Sequence, residues 1–286
     1  MLHITPEVQR LIDQALSEDQ AFSDPTTDAL IPPDLRGTGI IRAKARGVLA
    51  GVDLGLAVFS RVDPSLETRA LLEDGSPLSP GDAAALVEGS ASAILRAERP
   101  ALNFIQRLSG IATDTSRYVG VVRGLRARIV DTRKTVPGLR YLEKYAVRAG
   151  GGANHRMNLA DGILIKDNHI AAGRSRGVTL RETVERAVAR APHTIKVEVE
   201  VTNLEELEEV LDAGAHVILL DNMSPEEMSR AVKLVDGRAV LEASGGIDME
   251  TVRAVAETGV DLISVGALTH SPTALDLSLD LEFSQT

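Results

Sequence analysis

The sequence of residues 131–170 is DTRKTVPGLRYLEKYAVRAGGGANHRMNLADGILIKDNHI, and the organisation of the whole chain follows from this stretch. It contains seven lysines and arginines and two histidines, although the full chain carries a formal net charge of -10. Several of these cations directly follow apolar runs, as in RIVDTRK and GILIKDNH, instead of recurring at the helical spacing of a solvated face. This arrangement predicts a pocket for a small substrate with several negative charges.

Length and composition restrict the class of protein. The chain has 286 residues, more than the roughly 250 at which a single hydrophobic core tends to stop growing, so we expect one large domain and a smaller one. Apolar residues make up 44% and charged residues 25% of the chain, as in an ordinary globular protein. The acidic net charge and the few aromatic residues, with three tyrosines, four phenylalanines and no tryptophan, argue against a nucleic-acid partner.

The sequence contains no cysteine. Disulfides, thiolate metal sites and cysteine nucleophiles are therefore excluded. The N-terminal residues, MLHITPEVQRLIDQALSED, place charged side chains among the apolar ones, and no run of 18 apolar residues occurs in the sequence. We expect a cytoplasmic protein with no membrane partner.

The first third of the chain predicts strands and helices without strict alternation. Apolar residues at helical spacing predict a helix over 5–17, and the prolines of the following EDQAFSDPTTDALIPPD predict a loop. Short strands are predicted within 38–50, in ETRALLEDG and in DAAALVEG, with a short helix over 53–60. Residues 90–120 predict two helices, the second beginning near Pro100. This part is expected to form an α+β domain.

After about residue 125, short apolar strands alternate with helical segments. RIVD, GILIK, IKVEVE, HVILLD, AVLEA and DLISVG have the composition of strands buried on both faces. The predicted helices between them cover 137–149, 179–190, 203–213, 225–236 and 248–258. Successive strands end at separations of 21, 23 and 22 residues, at Glu200, Asp221, Ser244 and Gly266. This regular repeat predicts a parallel α/β barrel, and an open doubly wound sheet is the alternative, weakened because no GxGxxG motif follows the first strand.

In a parallel barrel the functional residues lie at the carboxyl ends of the strands. The predicted strand ends carry Asp131-Thr132-Arg133-Lys134, Lys166-Asp167-Asn168-His169, Glu198 and Glu200, Asp221-Asn222, Ser244-Gly245-Gly246 and Val265-Gly266-Ala267. The last two loops predict a phosphate site, because glycine lets the backbone approach a ligand and N–H groups at a helix start attract phosphate. A tight turn without a ligand is the alternative for Gly245 and Gly246.

The carboxylates and lysines in this set allow more than one chemistry. Glu200 and Asp221 are the ligand type of Mg²⁺ or of ribose hydroxyls, but they could instead form ion pairs with lysines. Lys134 and Lys166 could be the Schiff-base lysines of an aldolase-type barrel. The arginines nearby favour complementarity to carboxylates or phosphates, to which His155-Arg156 would contribute.

At these residues the sequence resembles the quinolinate phosphoribosyltransferase family. The shared motifs are ERPALNFIQRLSGIAT, DTRKTVPGLR, GGGANHRMNLADGILIKDNH, EVEV, LLDN, EASGGI and VGALTHS, in the family's order through most of residues 90–272. An ordered set of this length is specific to the family. The chain departs from the family's usual pattern at Ser23-Asp24-Pro25, where Gly-Asp is usual, and at ERP, where ERT is commoner.

The resemblance implies a fold and an assembly. The fold class would be α/β, with a smaller N-terminal α+β sandwich domain before an incomplete parallel α/β barrel of the TIM type. The expected domains are residues 1–115, joined by the C-terminal tail 272–286, and the catalytic barrel 116–271. Because the family forms obligate dimers, we expect a homodimer, which could assemble further.

The resemblance also implies a reaction and its residues. Quinolinate and 5-phosphoribosyl 1-pyrophosphate, the latter with Mg²⁺, would give nicotinate mononucleotide, pyrophosphate and CO₂. The implied catalytic residues are Lys134, Lys166, Glu200 and Asp221, of which Glu200 and Asp221 would face the metal. The implied substrate-binding residues are Arg99 of the neighbouring subunit, Thr132, Arg133, His155, Arg156, Ser244, Gly245, Gly246, Val265, Gly266, Ala267 and His270. The arginines, His155 and Lys166 would hold the quinolinate carboxylates, and the glycine loops would hold the 5-phosphate.

Three other hypotheses fit parts of this pattern. A paralogous transferase of the same fold would act on another acid, and an aldolase-type enzyme would form a Schiff base on a lysine. A non-catalytic sensor would bind phosphoribosyl pyrophosphate without turnover. Release of CO₂ from quinolinate in the presence of phosphoribosyl pyrophosphate would distinguish the expected reaction from all three.

Overall fold

Strands and helices follow one another closely in the structure, a computed structural model that describes residues 2–283. The strands are β1 (Arg36–Ala43), β2 (Gly47–Val48), β3 (Glu67–Ala70), β4 (Pro77–Leu78), β5 (Ala83–Ser90), β6 (Arg128–Val130), β7 (Ile163–Ile165), β8 (Val197–Val201), β9 (Val217–Asp221), β10 (Val240–Ser244), β11 (Leu262–Ser264) and β12 (Leu277–Phe283). The helices are α1 (Pro6–Glu18), α2 (Pro25–Leu30), α3 (Val52–Val62), α4 (Ala91–Val121), α5 (Arg140–Ala149), α6 (Asp167–Arg174), α7 (Leu180–Arg190), α8 (Leu204–Asp212), α9 (Pro225–Val235), α10 (Val252–Glu257) and α11 (Ala267–His270). Among the helices of residues 2–283, none combines the length and hydropathy needed to cross a bilayer.

The strands predicted after residue 125 form one parallel sheet. Its order is β6-β11-β10-β9-β8-β7, so that each strand from β8 to β11 lies beside its predecessor in the chain, and β11, the last, lies beside β6, the first. A doubly wound sheet would instead change its direction of growth at a switch point. The order is that of a barrel opened between β7 and β6, and a parallel bridge of Val130 with Ala153 extends the sheet on that side. The predicted α/β fold class is confirmed.

The parallel sheet lies in a compact unit made of Arg117–Thr135 and Gly152–His270. Helix starts in this unit are fixed by their own sequence. The hydroxyls of Thr179 and Ser224 accept hydrogen bonds from the backbone N–H groups of Glu182 and Glu227, whose carboxylates accept from the cap N–H groups in return. These capping boxes satisfy N–H groups that a helix start leaves without partners, and so fix where α7 and α9 begin.

A second compact unit consists of the described parts of Met1–Ser116, Val136–Gly151 and Ser271–Thr286. Its main sheet is antiparallel, in the order β12-β1-β5-β3. Every second residue of β1 is buried, as expected of a strand with one face on a core. Strand β12 pairs with β1 along its whole length, from Gly37 opposite Phe283 to Ala43 opposite Leu277. The predicted domain boundaries at 115 and 271 stay a prediction.

Residues 25–30, predicted as part of a loop, form helix α2. Pro25 is the first helical residue, a position where its missing N–H is not needed. Asp24 Oδ1 accepts hydrogen bonds from the backbone N–H groups of Thr26 at 3.0 Å and Thr27 at 3.3 Å, which makes Asp24 the N-cap. Hydrogen bonds from Thr27, its hydroxyl first, lower the pKa of the Asp24 carboxyl. The Ser23-Asp24-Pro25 departure therefore supplies a complete helix start.

Residues 91–121 form the single helix α4, where the sequence predicted two helices. Pro100 lies inside α4, although proline removes a backbone hydrogen bond and its ring crowds the preceding turn. Tertiary packing offsets this cost, because Ala97, Ala101, Leu102 and Ile105 are at most 1% exposed on the helix around the proline. A continuous helix keeps all of these side chains in the core, and that burial outweighs the local preference for a break.

Helix α5 carries three cations of the 131–170 stretch but belongs to the second unit described above. Lys144 and Glu143 are both fully buried there. Glu143 Oε1 accepts hydrogen bonds from Nε and Nη2 of Arg107, and its Oε2 accepts from the backbone N–H of Val136 at 3.2 Å. These two charged residues therefore belong to the packed interior of this unit.

Replacing Glu143 by alanine should lower the free energy of unfolding by about 3 kcal/mol, because the Arg107 guanidinium and a backbone N–H lose a buried carboxylate. Chemical denaturation measures the change. The matched control is Glu208→Ala, at an exposed position in α8, which should change the same quantity by less than about 0.5 kcal/mol. Equal effects of the two substitutions would contradict the structural role of Glu143.

Candidate active site

The predicted strand ends meet at one edge of the parallel sheet. Ser244 lies opposite Asp221 in the register of β10 and β9, and Glu200 is the next-to-last residue of the neighbouring β8. The segments after β6, β7 and β11 begin at the same edge, because all these strands are parallel. All predicted site residues therefore lie in the unit that contains this sheet, except Arg99, which is an exposed residue of α4 in the other unit.

Lys166 and Glu200 form an ion pair between the ends of β7 and β8. The Glu200 side chain is only 12% exposed, whereas that of Lys166 is 46% exposed. The Lys166 backbone N–H donates to Nδ1 of His169 at 2.9 Å, which fixes the turn into α6. Of the alternatives for Glu200, the structure shows the pairing with a lysine. An ion-paired ammonium is not the neutral amine that a Schiff base requires.

Lys134 lies against the loop that follows β11. Its backbone N–H donates to Thr132 Oγ1 at 3.0 Å, and its carbonyl accepts from the Thr269 hydroxyl at 2.8 Å. A β-carbon at Gly266 would lie 3.1 Å from Lys134 Cδ and 3.3 Å from His270 Cδ2. Contacts this close mean that glycine lets the lysine stem and the imidazole approach each other. The structure thus brings together Lys134, Gly266 and His270.

Val265 and Ala267 flank this glycine. The Val265 side chain is 1% exposed, and its N–H donates to the Val130 carbonyl at 3.0 Å. Its side chain therefore belongs to the core, and any contact of Val265 with a substrate has to use the backbone carbonyl. Ala267 is the first residue of α11 and is partly exposed.

Three left-handed residues shape the loops after β9 and β10: Asn222 with φ of 55°, Gly245 with φ of 98° and Gly246 with φ of 58°. The Asn222 backbone N–H donates to the Ser244 carbonyl at 3.0 Å, and its Nδ2 donates to Asp221 Oδ2 at 2.9 Å. A β-carbon at Gly245 would lie 2.3 Å from Asn222 Oδ1, so the tight-turn alternative explains this glycine. At Gly246, within the described chain, nothing lies within 4 Å of such a β-carbon, which leaves its backbone accessible to a ligand.

Asp131 anchors the segment that carries the predicted histidine and arginine. It is fully buried at the end of β6. Its Oδ1 accepts from the His155 backbone N–H at 2.9 Å, and its Oδ2 accepts from Asn154 Nδ2 at 2.5 Å. Asp131 had no predicted role of its own, although a carboxylate directly after an apolar strand was a signal.

Three side chains inside the barrel form what we call the buried triad: His155, Glu198 and Glu242. His155 Nε2 lies 3.1 Å from Glu198 Oε2 and 3.6 Å from Glu242 Oε2. His155 Nδ1 accepts the Arg156 backbone N–H at 2.7 Å, so the proton of a neutral ring resides on Nε2 and faces the carboxylates. Glu242 was not among the predicted site residues, although a carboxylate within the apolar run AVLEA was a signal.

The two arginines of the predicted site are close enough to influence each other. Arg156 Nη1 donates to the Gly162 carbonyl at 2.8 Å. Burial lowers the pKa of Arg156, and the charge of Arg133 lowers it further, while Glu198 and Asp161 oppose both effects. Neighbouring guanidinium groups repel each other, and a ligand with two carboxylates would relieve that repulsion.

Two groups of side chains offer metal ligands in the described chain. Glu200 and Asp221 provide carboxylate oxygens, the ligands that Mg²⁺ takes, although Glu200 is also paired with Lys166. The buried triad offers three ligand atoms within 4.8 Å of one another. The charges of Lys166 and Arg156 reach the triad and disfavour another cation there, so we assign no metal to it.

Comparisons with known proteins agree along the whole chain. Two family models match, quinolinate phosphoribosyl transferase N-terminal domain over residues 24–109 and C-terminal domain over residues 111–280. The chain is 46% identical over 276 residues to nicotinate-nucleotide pyrophosphorylase (carboxylating) of Mycobacterium leprae (strain TN), covering 94% of this chain and 95% of that protein. It is 42% identical over 278 residues to the probable enzyme of the same name from Bacillus subtilis (strain 168), covering 97% and 94%. The crystal structure of NadC from Streptococcus pyogenes matches with a TM-score of 0.94 and 40% identity over 100% of both chains.

Proposed function

The chain belongs to the quinolinate phosphoribosyltransferase family, and from this premise we infer that it transfers the phosphoribosyl group of 5-phosphoribosyl 1-pyrophosphate to quinolinate with loss of CO₂. The products are nicotinate mononucleotide, pyrophosphate and CO₂, so the chain is a pentosyltransferase of de novo NAD biosynthesis. The observation that carries this inference is the cationic cluster at the barrel edge, in which Arg133 depresses the pKa of Arg156. A dicarboxylate is the ligand that such a cluster accommodates best.

The transfer step forms a bond between the pyridine nitrogen and the anomeric carbon and breaks the bond from that carbon to pyrophosphate. Positive charge develops on the ribose ring in the transition state, so carboxylates near the ring favour it. We assign this role to Asp221 and Glu200. Lys134 would favour the leaving pyrophosphate, and the loops of Gly246 and Gly266 would hold the 5-phosphate through backbone N–H groups.

Decarboxylation follows from the charge that the transfer creates. Once the ring nitrogen carries the ribose, it is cationic, and its positive charge stabilises the electron pair that stays at C2 when the bond to CO₂ breaks. A proton then adds at C2. The substrate is therefore its own electron sink, and the protein mainly orients quinolinate and neutralises its carboxylates, through Arg133, Arg156 and Lys166.

The donor set at the strand ends fits Mg²⁺, because Asp221 and Glu200 offer oxygen ligands at adjacent strands. We propose that these two residues hold the metal together with the pyrophosphate group. When bound, Mg²⁺ neutralises negative charge on the leaving pyrophosphate. The hydrogen bond from Asn222 Nδ2 to Asp221 Oδ2 at 2.9 Å orients the carboxylate for this task.

Release of CO₂ from carboxyl-labelled quinolinate tests the proposed function directly. Release should require both phosphoribosyl pyrophosphate and Mg²⁺, and nicotinate mononucleotide should form in equal amount. A sensor would bind phosphoribosyl pyrophosphate without releasing CO₂, and a paralogue would release none from quinolinate. Trapping of a quinolinate or sugar adduct by borohydride would support the aldolase-type alternative instead.

Nicotinate should be a poor substrate, with kcat/KM at least about a hundredfold below that of quinolinate, because the missing second carboxylate leaves desolvated cations without a partner. Parallel steady-state assays of the two acids measure the ratio. Comparable values for the two acids would contradict the assignment of the arginines and Lys166 to a dicarboxylate.

We also propose a homodimer in the cytoplasm, with Arg99 completing the site of the other subunit. The cytoplasmic location is supported by the absence of cysteine and by the substrates, which are intermediates of nucleotide metabolism. The dimer is supported by the exposure of Arg99, which leaves its charge on the surface of its own unit.

Mixing two inactive variants should restore activity if Arg99 acts across subunits. Arg99→Ala and Lys134→Ala should each be nearly inactive alone. After subunit exchange, half of the dimers should be mixed and half of their sites complete, which gives roughly a quarter of wild-type activity. The control is a mixture of Lys134→Ala with Lys166→Met, which affect the same chain's site and should not complement. No recovery after verified exchange would refute the shared site.

A further inference from the structure

The two carboxylates of the buried triad have fewer hydrogen-bond donors around them than their oxygen atoms could accept. Glu242, in β10, is 1% exposed and Glu198, in β8, is 7% exposed. The Oε1 atoms of both carboxylates are buried and accept no hydrogen bond from the described chain. A buried carboxylate that lacks hydrogen-bond donors strongly disfavours its ionised form.

Polar groups from four other parts of the barrel act on Glu242: Glu198 in β8, Ser264 in β11, His155 after β6 and Lys166 after β7. Burial and the charge of Glu198 raise the pKa of Glu242 to about 7, against the opposing effects of His155, Ser264 and Lys166. The charge of Glu242 therefore changes near neutral pH. A protonated Glu242 leaves one negative charge on the triad instead of two, facing His155.

The triad also interacts electrostatically with the lysine and arginine side chains that are proposed to hold the substrate. Lys166 lowers the pKa of Glu242, and Glu198 raises that of Arg156, so the carboxylates and the cations stabilise one another's charges. A substrate dianion that pairs with the cations would weaken their hold on Glu242. Glu242 would then favour its protonated form, by the same burial that already disfavours its charge.

We propose that Glu242 is a positioning residue that takes up a proton from solvent when the dicarboxylate binds and returns it when the product leaves. The proton offsets one of the two negative charges that the substrate brings into the pocket, and it removes one negative charge from the carboxylates that face His155. This inference rests on the proposed function, because it needs a dianion among Arg133, Arg156 and Lys166.

Calorimetric titration with quinolinate, in buffers of different ionisation enthalpy, measures the number of protons taken up. For the wild type we expect little uptake at pH 6, where Glu242 is already protonated, and more than about half a proton per site at pH 8. Glu242→Gln, which mimics the protonated acid, should remove that uptake, whereas Glu257→Gln on the exposed face of α10 should retain it. Phthalate in the presence of phosphoribosyl pyrophosphate and Mg²⁺ is a second probe, since it has the carboxylates but no ring nitrogen to react.

The same substitution should change the pH dependence of the KM for quinolinate. In the wild type the KM should rise by up to about tenfold per pH unit above pH 7, because Glu242 must first be protonated. In Glu242→Gln the KM should stay flat over that range, with kcat changed much less. A residue with only a packing role would not alter the slope.

Stability provides a readout that needs no substrate. The folded pKa of Glu242, about 7, lies above the ordinary value of 4.5, so its contribution favours folding at low pH and is lost as pH rises toward 7. The difference in melting temperature between Glu242→Gln and the wild type should therefore shift in favour of the variant as pH rises from 5 to 8. If the variant does not fold, ¹³C carboxyl resonances of wild-type glutamates should show one group titrating near pH 7 and shifting upward with quinolinate.

Several results would overturn the inference. Quinolinate binding at pH 8 with no proton uptake would do so while leaving the proposed function intact. A wild type that does not bind quinolinate or release CO₂ would remove the proposed function and the inference together. Stoichiometric zinc or manganese in the purified protein, lost in Glu242→Gln, would show that the triad is a metal site.

Discussion

Replacing Lys166 by methionine is expected to lower kcat/KM for quinolinate by roughly a thousandfold, the scale of removing one preorganised charge from a transition-state site. Methionine keeps the length and apolar character of the lysine stem. The change therefore removes the ammonium that pairs with Glu200 and that reaches Glu242. Steady-state assays at saturating phosphoribosyl pyrophosphate measure the effect.

The fold should survive this substitution, because the Lys166 side chain is about half exposed and Glu200 can regain water. Lys196→Met is the matched control, since Lys196 is exposed just before the start of β8, at the other end of the strand that carries Glu200. It should keep wild-type kinetics. Unchanged kinetics in Lys166→Met would show that Lys166 is a surface residue in a solvated turn with no role in the reaction.

Asp221→Asn should separate the two substrates from each other. The carboxylate faces the loop of Asn222 and Ser244, where we place the ribose and the metal. We expect kcat/KM for phosphoribosyl pyrophosphate to fall by roughly a thousandfold, because asparagine keeps the size of the side chain and removes its charge. The Kd of quinolinate, measured by calorimetry, should change by less than about threefold.

Asp212→Asn, at the exposed end of α8, is the control for this isosteric change. It should leave both kinetic parameters and the melting temperature at wild-type values. Equal weakening of both substrates in Asp221→Asn, together with a lower melting temperature, would identify Asp221 as a structural carboxylate instead.

The barrel could be predicted because its signals are local. Each strand buried on both faces is a short apolar run, and each helix between two strands begins at a recognisable cap such as Thr179 or Ser224. The polar residue that ends a strand, such as Asp221, marks the functional edge in the same short window. A local signal also existed for α2, because Asp24 followed by Pro25 is a typical helix start. The prediction of a loop was based on the prolines alone and missed this signal.

The parts that could not be predicted depend on contacts between distant segments. His155 meets Glu242 only because the strands close into a barrel, and no spacing along the chain encodes that encounter. Glu143 likewise contacts Arg107 because α5 belongs to the same compact unit as residues 91–116 of α4. The segments that flank α5 in sequence belong to the unit that contains the parallel sheet. Tertiary packing also decides the continuity of α4 at Pro100, against local preference.

The pairing of β1 with β12 affects how this protein folds while the ribosome synthesises it. Strand β1 needs β5 on one side, which is available early, and β12 on the other, which is translated last. At about 5 to 20 residues per second, the nascent chain waits roughly 10 to 40 s between completing β5 and completing β12. During that interval the backbone on one side of β1 has no partner strand, and strands of other chains can pair with such an edge. A stop codon shortly before Leu277 should therefore damage the N-terminal sheet, far away in sequence, and newly made chains should depend on chaperones until their last strand arrives.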